Sequence, residues 1–317
     1  MHVLFTNAGR RTYLIEFSLA LRAEGFPLEV FVSDCTRVAP AFHVSPLVKS
    51  LLLPPVLDDR NDYAKALKKA ITDHGIDVVF PLSDLDQEVL AEMKDELAER
   101  KVTAVVASPE VVAMCNNKRE AFLCCRAKGI PTPDSWFSLR EFPGKFPVIR
   151  KHVFGSGSSG LAVVRNVDDL KDFHEGRDML QELVCGTEYG VDILNDLGGN
   201  FVHACAKRKL LMRAGETDRA VVVRHPVIEA LAQRVGESFR HVGNLDIDLM
   251  ETADGQLFCF DFNARFGGGY PATHLAGLNY LRALLEMARG ERPDLPAEPR
   301  LVTVMKGLSL FWFEGEP

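Results

Sequence analysis

The sequence predicts an α/β domain with a doubly wound parallel sheet, followed by an α+β portion of two lobes. Three observations carry this reading. The first third alternates short, continuously apolar segments with amphipathic ones, the pattern of a parallel sheet covered on both faces by helices. Past "IPTPD" the texture changes to strand-like segments joined by the hairpin signals "GGN" and "DG", which favour antiparallel pairing. At 317 residues the chain also exceeds one ordinary compact core, so two or three packed units are expected.

In chain order, "HVLFTNA" reads as a strand, "RTYLIEFSLALRAEG" as a helix stopped at Gly25, and "LEVFVSD" as a second strand. A Pro-rich crossing leads to the helix "DYAKALKKAITDHG", stopped at Gly75. Then come the strand "IDVVFPLS", the helix "DLDQEVLAEMKDELAER" and the strand "VTAVVAS". "SPEVVAMCNNKREAFLCCRAKG" is one or two helices. Two strands, "FPVIRKHV" and "LAVVRN", flank "FGSGSSG", and a helix is expected over "VDDLKDFHEG". "MLQELV", "EYGVDILND" and "FVHACAKRKLLM" are strands, "HPVIEALAQRVGESFRHVG" is an amphipathic helix, and two more strands flank "TADGQ".

Composition narrows the function classes. A formal charge of -7 argues against nucleic acid or an anionic membrane as the main partner. No apolar run approaches the roughly 20 residues of a spanning helix, and the N-terminus reads as a first strand rather than a leader. The seven cysteines form no C-x-x-C pair and most lie in apolar segments, so free thiols in a reducing cytoplasm are expected.

The first turn, "NAGRRT", keeps only Gly9 of a dinucleotide fingerprint and reads as a tight strand-to-helix turn, with Asp34 as the one acid at the end of the second strand. Ser83 and Asp84 end a parallel strand and line the crevice there, as substrate contacts or as a helix cap. "FGSGSSG" is followed by a strand rather than by Lys-Ser/Thr and a helix, so it is a glycine- and serine-rich hairpin tip, not a Walker loop. Such a tip can fold over a polyphosphate and donate backbone N–H groups, with Lys151 supplying charge. In "MLQELVCGTEYGVDIL", extended backbone beside Glu182 can face adenine, and a carboxylate can hold ribose hydroxyls; each acid taken alone reads better as a solvated surface residue.

The closing hairpin is the sharpest feature. With Asp254-Gly255 at the centre of a two-residue turn, Asp248 faces Asp261 and Asp246 faces Asn263. Alternation sends Leu245, Ile247, Leu249, Phe260 and Phe262 to the other, buried face. Opposed like charges call for a cation between them, and a hard divalent ion such as Mg2+ (or Mn2+) bridging substrate phosphates suits all-oxygen ligands. The alternative is an amphipathic hairpin with a solvated acidic face.

The ordered motifs "NKREAF", "FPVIRKHVFGSGSSG", "QELVCGTEYGVDI", "RAGET" and "DFNARFGGG" resemble the ATP-grasp superfamily, and most nearly its carbamoyl-phosphate-synthetase-like branch, over nearly the whole chain. The resemblance implies a pre-ATP-grasp Rossmann-like domain over 1–112, a small lobe over 113–180 and a large lobe with the metal site over 181–317. It implies ATP between the lobes, contacted by Lys118 and Lys151 and covered by the loop of Gly155, Ser156, Gly157 and Ser158. Glu182, Leu183 and Val184 would line the adenine slot, Glu188 would hold ribose and Lys207 would approach the phosphates. Asp248, Asp261 and Asn263 match the metal positions. Arg265, with Arg213 of "RAGET", matches catalytic arginines. Where relatives have Glu-x-Asn-Pro-Arg, this chain has Asp261-Phe262-Asn263-Ala264-Arg265, one methylene shorter at the first ligand. The implied chemistry is ADP-forming ligation of a small carboxylate to an amine through an acyl phosphate, in a cytoplasmic enzyme, with a homodimer as the default assembly. Carbamoyl-phosphate-type phosphorylation and ATP binding without turnover are the alternatives. The acid and amine are expected against the 267–273 stretch, Arg213 and the first domain.

Overall fold

The computed structural model describes residues 1–9, 11–155 and 160–313; Ser156, Gly157 and Ser158 lie outside the described residues. The N-terminal third runs β1 (His2–Thr6), α1 (Thr12–Ala23), β2 (Glu29–Asp34), β3 (Lys49–Leu52), α2 (Arg60–Asp73), β4 (Val78–Pro81), α3 (Asp84–Glu92), α4 (Lys94–Glu99) and β5 (Thr103–Ala104). Its sheet is wholly parallel in the order β3-β2-β1-β4-β5. β1, β2 and β4 bury nearly every residue, as strands covered on both faces must. Gly25 and Gly75 end α1 and α2 at positive φ, where a side chain would be strained. β3 is an edge strand inside the Pro-rich crossing, too polar ("KSLL") to be read from pattern. The single helix expected over 84–100 is two, α3 and α4, meeting at Met93.

Next come α5 (Pro109–Asn116), α6 (Lys118–Ala127), β6 (Ser135–Trp136), β7 (Val148–His152), β8 (Ala162–Val164) and β9 (Asp178–Glu182). β6, β9, β7 and β8 form a four-stranded antiparallel sheet. The helix expected over 167–176 is only a short 3-10 turn, Val167–Leu170. That stretch is mostly polar, and the turn buries none of its residues, so it lacks the apolar stripe that holds a surface helix down.

The remainder comprises β10 (Thr187–Asn195), β11 (Phe201–Arg213), β12 (Glu216–Val223), α7 (Pro226–Phe239), β13 (Gly243–Glu251), β14 (Leu257–Asn263), α8 (Tyr270–Leu275), α9 (Tyr280–Ala288) and β15 (Thr303–Met305). Its sheet is antiparallel in the order β14-β13-β10-β11-β12-β15. α7 packs Ile228, Leu231, Val235 and Phe239 against Ile193, Leu245, Ile247 and Phe262. α8 and α9 share one apolar core with α1 and the first sheet, through Leu14, Phe80, Tyr270, Leu281 and Leu284. Tyr13 Oη donates to the Gly267 carbonyl at 2.8 Å, and Phe17 stacks on His274 with centroids 3.6 Å apart. The crevice of the parallel sheet is thereby held against the β13–β14 hairpin. Among the described residues no helix is long and apolar enough to cross a membrane.

Candidate active site

The hairpin register near the carboxylates is the expected one: Asp248 pairs with Asp261 and Asp246 with Asn263. Nearer the turn it differs. Leu249 pairs with Cys259 and Glu251 with Leu257, so the connection is one residue longer than a two-residue turn, and a bulge at Phe260 restores the pairing. Cys259 therefore fills the core position expected for Phe260, and the Phe260 ring joins the wall of a cavity.

That cavity, about 440 Å³, lies between the two antiparallel sheets. Lys118, Lys151, Gly155, Glu182, Leu183, Val184, Glu188, Asp248 and Asp261 all line it, so nine of the predicted residues converge here. Met212, Met250, Ile149 and Leu161 give it apolar walls. Lys118 sits at the first turn of α6, whose cap is the Asn117 side chain accepting from the Arg119 and Glu120 backbones. Its Nζ donates to the Gly155 carbonyl at 2.6 Å and lies 3.5 Å from Asp261. Lys151, 7% exposed, donates to the Phe260 carbonyl at 3.0 Å and lies over the Phe122 ring at 5.2 Å. Burial, aided by the Lys118 charge and opposed by Asp261 and Asp248, brings the Lys151 ammonium down to about 8.

A second cavity, about 310 Å³, shares Met212, Ala214, Gly215, Asp248 and Asp261 with the first. Asn263, Arg265, Gly268 and Gly269 line it from the hairpin side; Ala8, Gly9, Arg11, Ser83 and Asp84 line it from the parallel sheet. Arg265 is 7% exposed and paired with Asp84, Nε to Oδ1 at 2.8 Å and Nη2 to Oδ2 at 3.0 Å, and it also donates to Asn263 Oδ1 at 3.2 Å. Burial alone would weaken its charge, but Asp84 outweighs burial and raises its pKa. Ser83 caps α3 and Asp84 opens it, as the helix-cap reading expected, and both line the second cavity. Asp34 accepts from the Gly9 and Cys35 backbone N–H groups at 2.9 and 2.8 Å, bracing the first turn.

The acids at the junction are strained electrostatically. Burial, with Asp192 and Asp248 nearby, pushes the Asp246 carboxyl up to about 7. Burial also raises Asp248; Lys209 opposes that shift and Asp261 adds to it. The facing Asp248 and Asp261 carboxylates open into both cavities and the Asn263 amide into the second, an oxygen set of the hard kind that suits Mg2+. Among the described residues no three His, Cys, Asp or Glu side chains already form a metal cage.

Two predicted residues stand elsewhere. Lys207, 1% exposed, is ion-paired to fully buried Asp192, donates to Thr273 at 3.3 Å and lines neither cavity. Lys209, two residues on and so on the same face of β11, is the lysine that reaches the site, 2.6 Å from Asp248 and 2.8 Å from Glu188. Arg213, half-exposed at the β11–β12 turn, pairs with Asp218 at 3.2 Å, whereas its neighbours Met212, Ala214 and Gly215 line both cavities. Gly267 makes room for a carboxylate: a Cβ there would lie 1.9 Å from Asp246 Oδ2.

The comparisons match this architecture in two pieces. Residues 175–311 match the family described as ATP-grasp in the biosynthetic pathway with Ter operon, and residues 3–105 match the PylC-like N-terminal domain. Residues 175–311 thus carry an ATP-grasp domain. The chain is 26% identical to a carbamoyl-phosphate synthase of Methanobrevibacter smithii, over 71% of this chain and 67% of that protein. Among solved structures, a biotin carboxylase from Campylobacter jejuni superposes with a TM-score of 0.74 at 14% identity, covering 95% of this chain and 73% of that one. An L-amino acid ligase from Bacillus licheniformis gives 0.70 at 16% identity, covering 90% and 73%. At those identities the likeness to solved structures is one of fold.

Proposed function

We propose that the protein is an ATP-dependent, ADP-forming carboxylate–amine ligase. The observation that carries this is that two cavities meet at Asp248 and Asp261, with cationic Lys118 and Lys151 on one side and Asn263, Arg265, Arg11 and the parallel-sheet crevice on the other. The 440 Å³ cavity is the nucleotide site in this reading. The extended backbone at Glu182, Leu183 and Val184 faces adenine, Glu188 the ribose, and Lys118 and Lys151 the phosphates. The second cavity takes the substrates. Lys209 holds Asp248 and Glu188 in place, while Lys207 and Arg213 serve packing and the hairpin end.

Asp248, Asp261 and Asn263 would hold Mg2+, which would supply charge neutralisation to the phosphates. The γ-phosphoryl of ATP passes to a substrate carboxylate: an O–P bond forms and the bond to the ADP oxygen breaks. The amine then forms the C–N bond, phosphate departs with the C–O electron pair, and the amine proton leaves to solvent. Arg265, oriented by Asp84, offers fixed positive charge where the transferring phosphoryl and the tetrahedral carbon carry negative charge. Positioning and charge suffice, so no covalent side-chain nucleophile is needed.

The test is ADP release across a matrix of carboxylates and amines, with product mass as the second readout. ADP that requires both partners, with a product equal to their sum less water, supports the ligase. ATP binding with no substrate-dependent ADP would overturn it in favour of a binding protein. The carbamoyl-phosphate-synthase relative favours a second reading, scored in the same matrix by bicarbonate with ammonia. The seven free cysteines support a cytoplasmic location, and a homodimer is the expected assembly.

A further inference from the structure

Each of the three residues assigned to the metal already faces a cation of the chain. Asp248 Oδ1 lies 2.6 Å from Lys209 Nζ, and Asp261 Oδ1 lies 3.5 Å from Lys118 Nζ. Asn263 Oδ1 accepts from Arg265 Nη2 at 3.2 Å, and the Asn263 amide donates to the other Asp261 oxygen at 3.2 Å. The two lysines bring the same two positive charges as one divalent ion. They arrive from different cavities: Lys118 opens α6 and lines the 440 Å³ cavity, whereas Lys209 stands on β11 and lines the 310 Å³ cavity.

These cations are not equally fixed. Arg265 is held by both oxygens of Asp84, so it stays. Lys209 has a second carboxylate, Glu188, at 2.8 Å, so it can leave Asp248 without being stranded. Lys118 also donates to the Gly155 carbonyl at 2.6 Å, inside the cavity read as the nucleotide site. A metal ion drawing up to Asp248 and Asp261 meets the repulsion of both ammonium groups at close range. A di- or triphosphate removes that obstacle, because it offers the displaced ammonium groups charged oxygens of its own. We propose that Lys118 and Lys209 stand in for the divalent ion while no nucleotide is bound, so that the ion enters only with a polyphosphate that takes over their charge. This rests on the nucleotide-site part of the ligase reading. A lysine that merely oriented Asp248 as a ligand would have the opposite signature: its removal would weaken metal binding, whereas removal of a stand-in strengthens it.

The test is Mn2+ binding to metal-stripped protein, read from the EPR signal of free Mn2+ and corrected for Mn2+ held by nucleotide in protein-free buffer. The wild type should bind Mn2+ about tenfold or more tightly with ADP than without it, and AMP, which is no polyphosphate, should give no such gain. Lys209→Met should bind Mn2+ alone about 10- to 100-fold more tightly than the wild type, and Lys118→Met should move the same way. Circular dichroism in chelator checks that each variant is folded; where Lys209→Met is not, Lys118→Met carries the comparison. The proposal is overturned if the wild type binds Mn2+ equally well with and without ADP, if AMP serves as well as ADP, or if the folded variant binds Mn2+ alone no more tightly than the wild type. The expected Mn2+ behaviour, with no ADP formed from ATP by any carboxylate and amine, would keep the stand-in role and overturn the ligase reading instead.

Discussion

Arg265 and Asp84, 181 residues apart in sequence, form a two-pronged ion pair across the boundary between the parallel sheet and the β13–β14 hairpin. It ties the most basic group of the junction to the first residue of α3, so the N-terminal domain sets the direction of the arginine. Asp84→Ala leaves a nearly buried guanidinium short of its carboxylate. The expected loss is about 2–5 kcal/mol of stability, measured by denaturant unfolding. Asp84→Asn keeps one acceptor, should fold, and should lower kcat by about tenfold or more while leaving the KM for ATP near the wild-type value. An unchanged kcat would show that Arg265 is oriented without Asp84.

Asp261→Asn removes one of two facing carboxylates. Like charges directly opposed are destabilising, so in chelator the variant should melt no lower than the wild type. The half-saturating Mg2+ concentration for activity should rise by about tenfold or more. Loss of fold together with activity would point to packing rather than metal binding.

In the proposed nucleotide site, Lys151 should carry the pH dependence of ATP capture. Burial brings it down to about 8, so it is charged below that pH and loses its charge above it. The kcat/KM for ATP, which reports the free enzyme, should therefore fall as pH rises through about 8. Lys151→Arg stays charged throughout and should flatten that limb. A wild-type profile that is level to pH 9.5 would remove Lys151 from the phosphate site.

Lys207 and Asp192 form a buried ion pair, at 1% and 0% side-chain exposure. Lys207→Met strands the carboxylate and should cost about 3–5 kcal/mol. The double variant Lys207→Met with Asp192→Leu should regain most of it. The folded fraction of Lys207→Met should bind ATP with wild-type affinity. Weakened binding there would return Lys207 to the phosphates.

Much of this was legible in local pattern. Strand alternation placed Asp248 against Asp261 and Asp246 against Asn263, but the two-residue turn assumed for that register is one residue longer in the structure, and the bulge at Phe260 offsets the difference. The Asn117 cap before Lys118 and the glycines that close α1 and α2 are local in the same way. The short 3-10 turn over Val167–Leu170 shows the opposite limit, where a helix-like polar stretch found no apolar surface to pack on.

Sequence alone determined the two kinds of sheet, the facing acids of the hairpin and nine of the residues that line the 440 Å³ cavity. It could not choose between Lys207 and Lys209, which share one strand face; depth beneath the 269–273 segment decided that one is buried on Asp192 and the other reaches the site. Nor could it place the bulge that turns Phe260 out of the core, the Asp246 carboxylate beneath Gly267, or Arg11 beside the Asp84–Arg265 pair. Those arrangements are contacts between segments far apart in the chain. Packing of α1 and the first sheet against α8 and α9 sets them, and no period or spacing within a single segment encodes that packing.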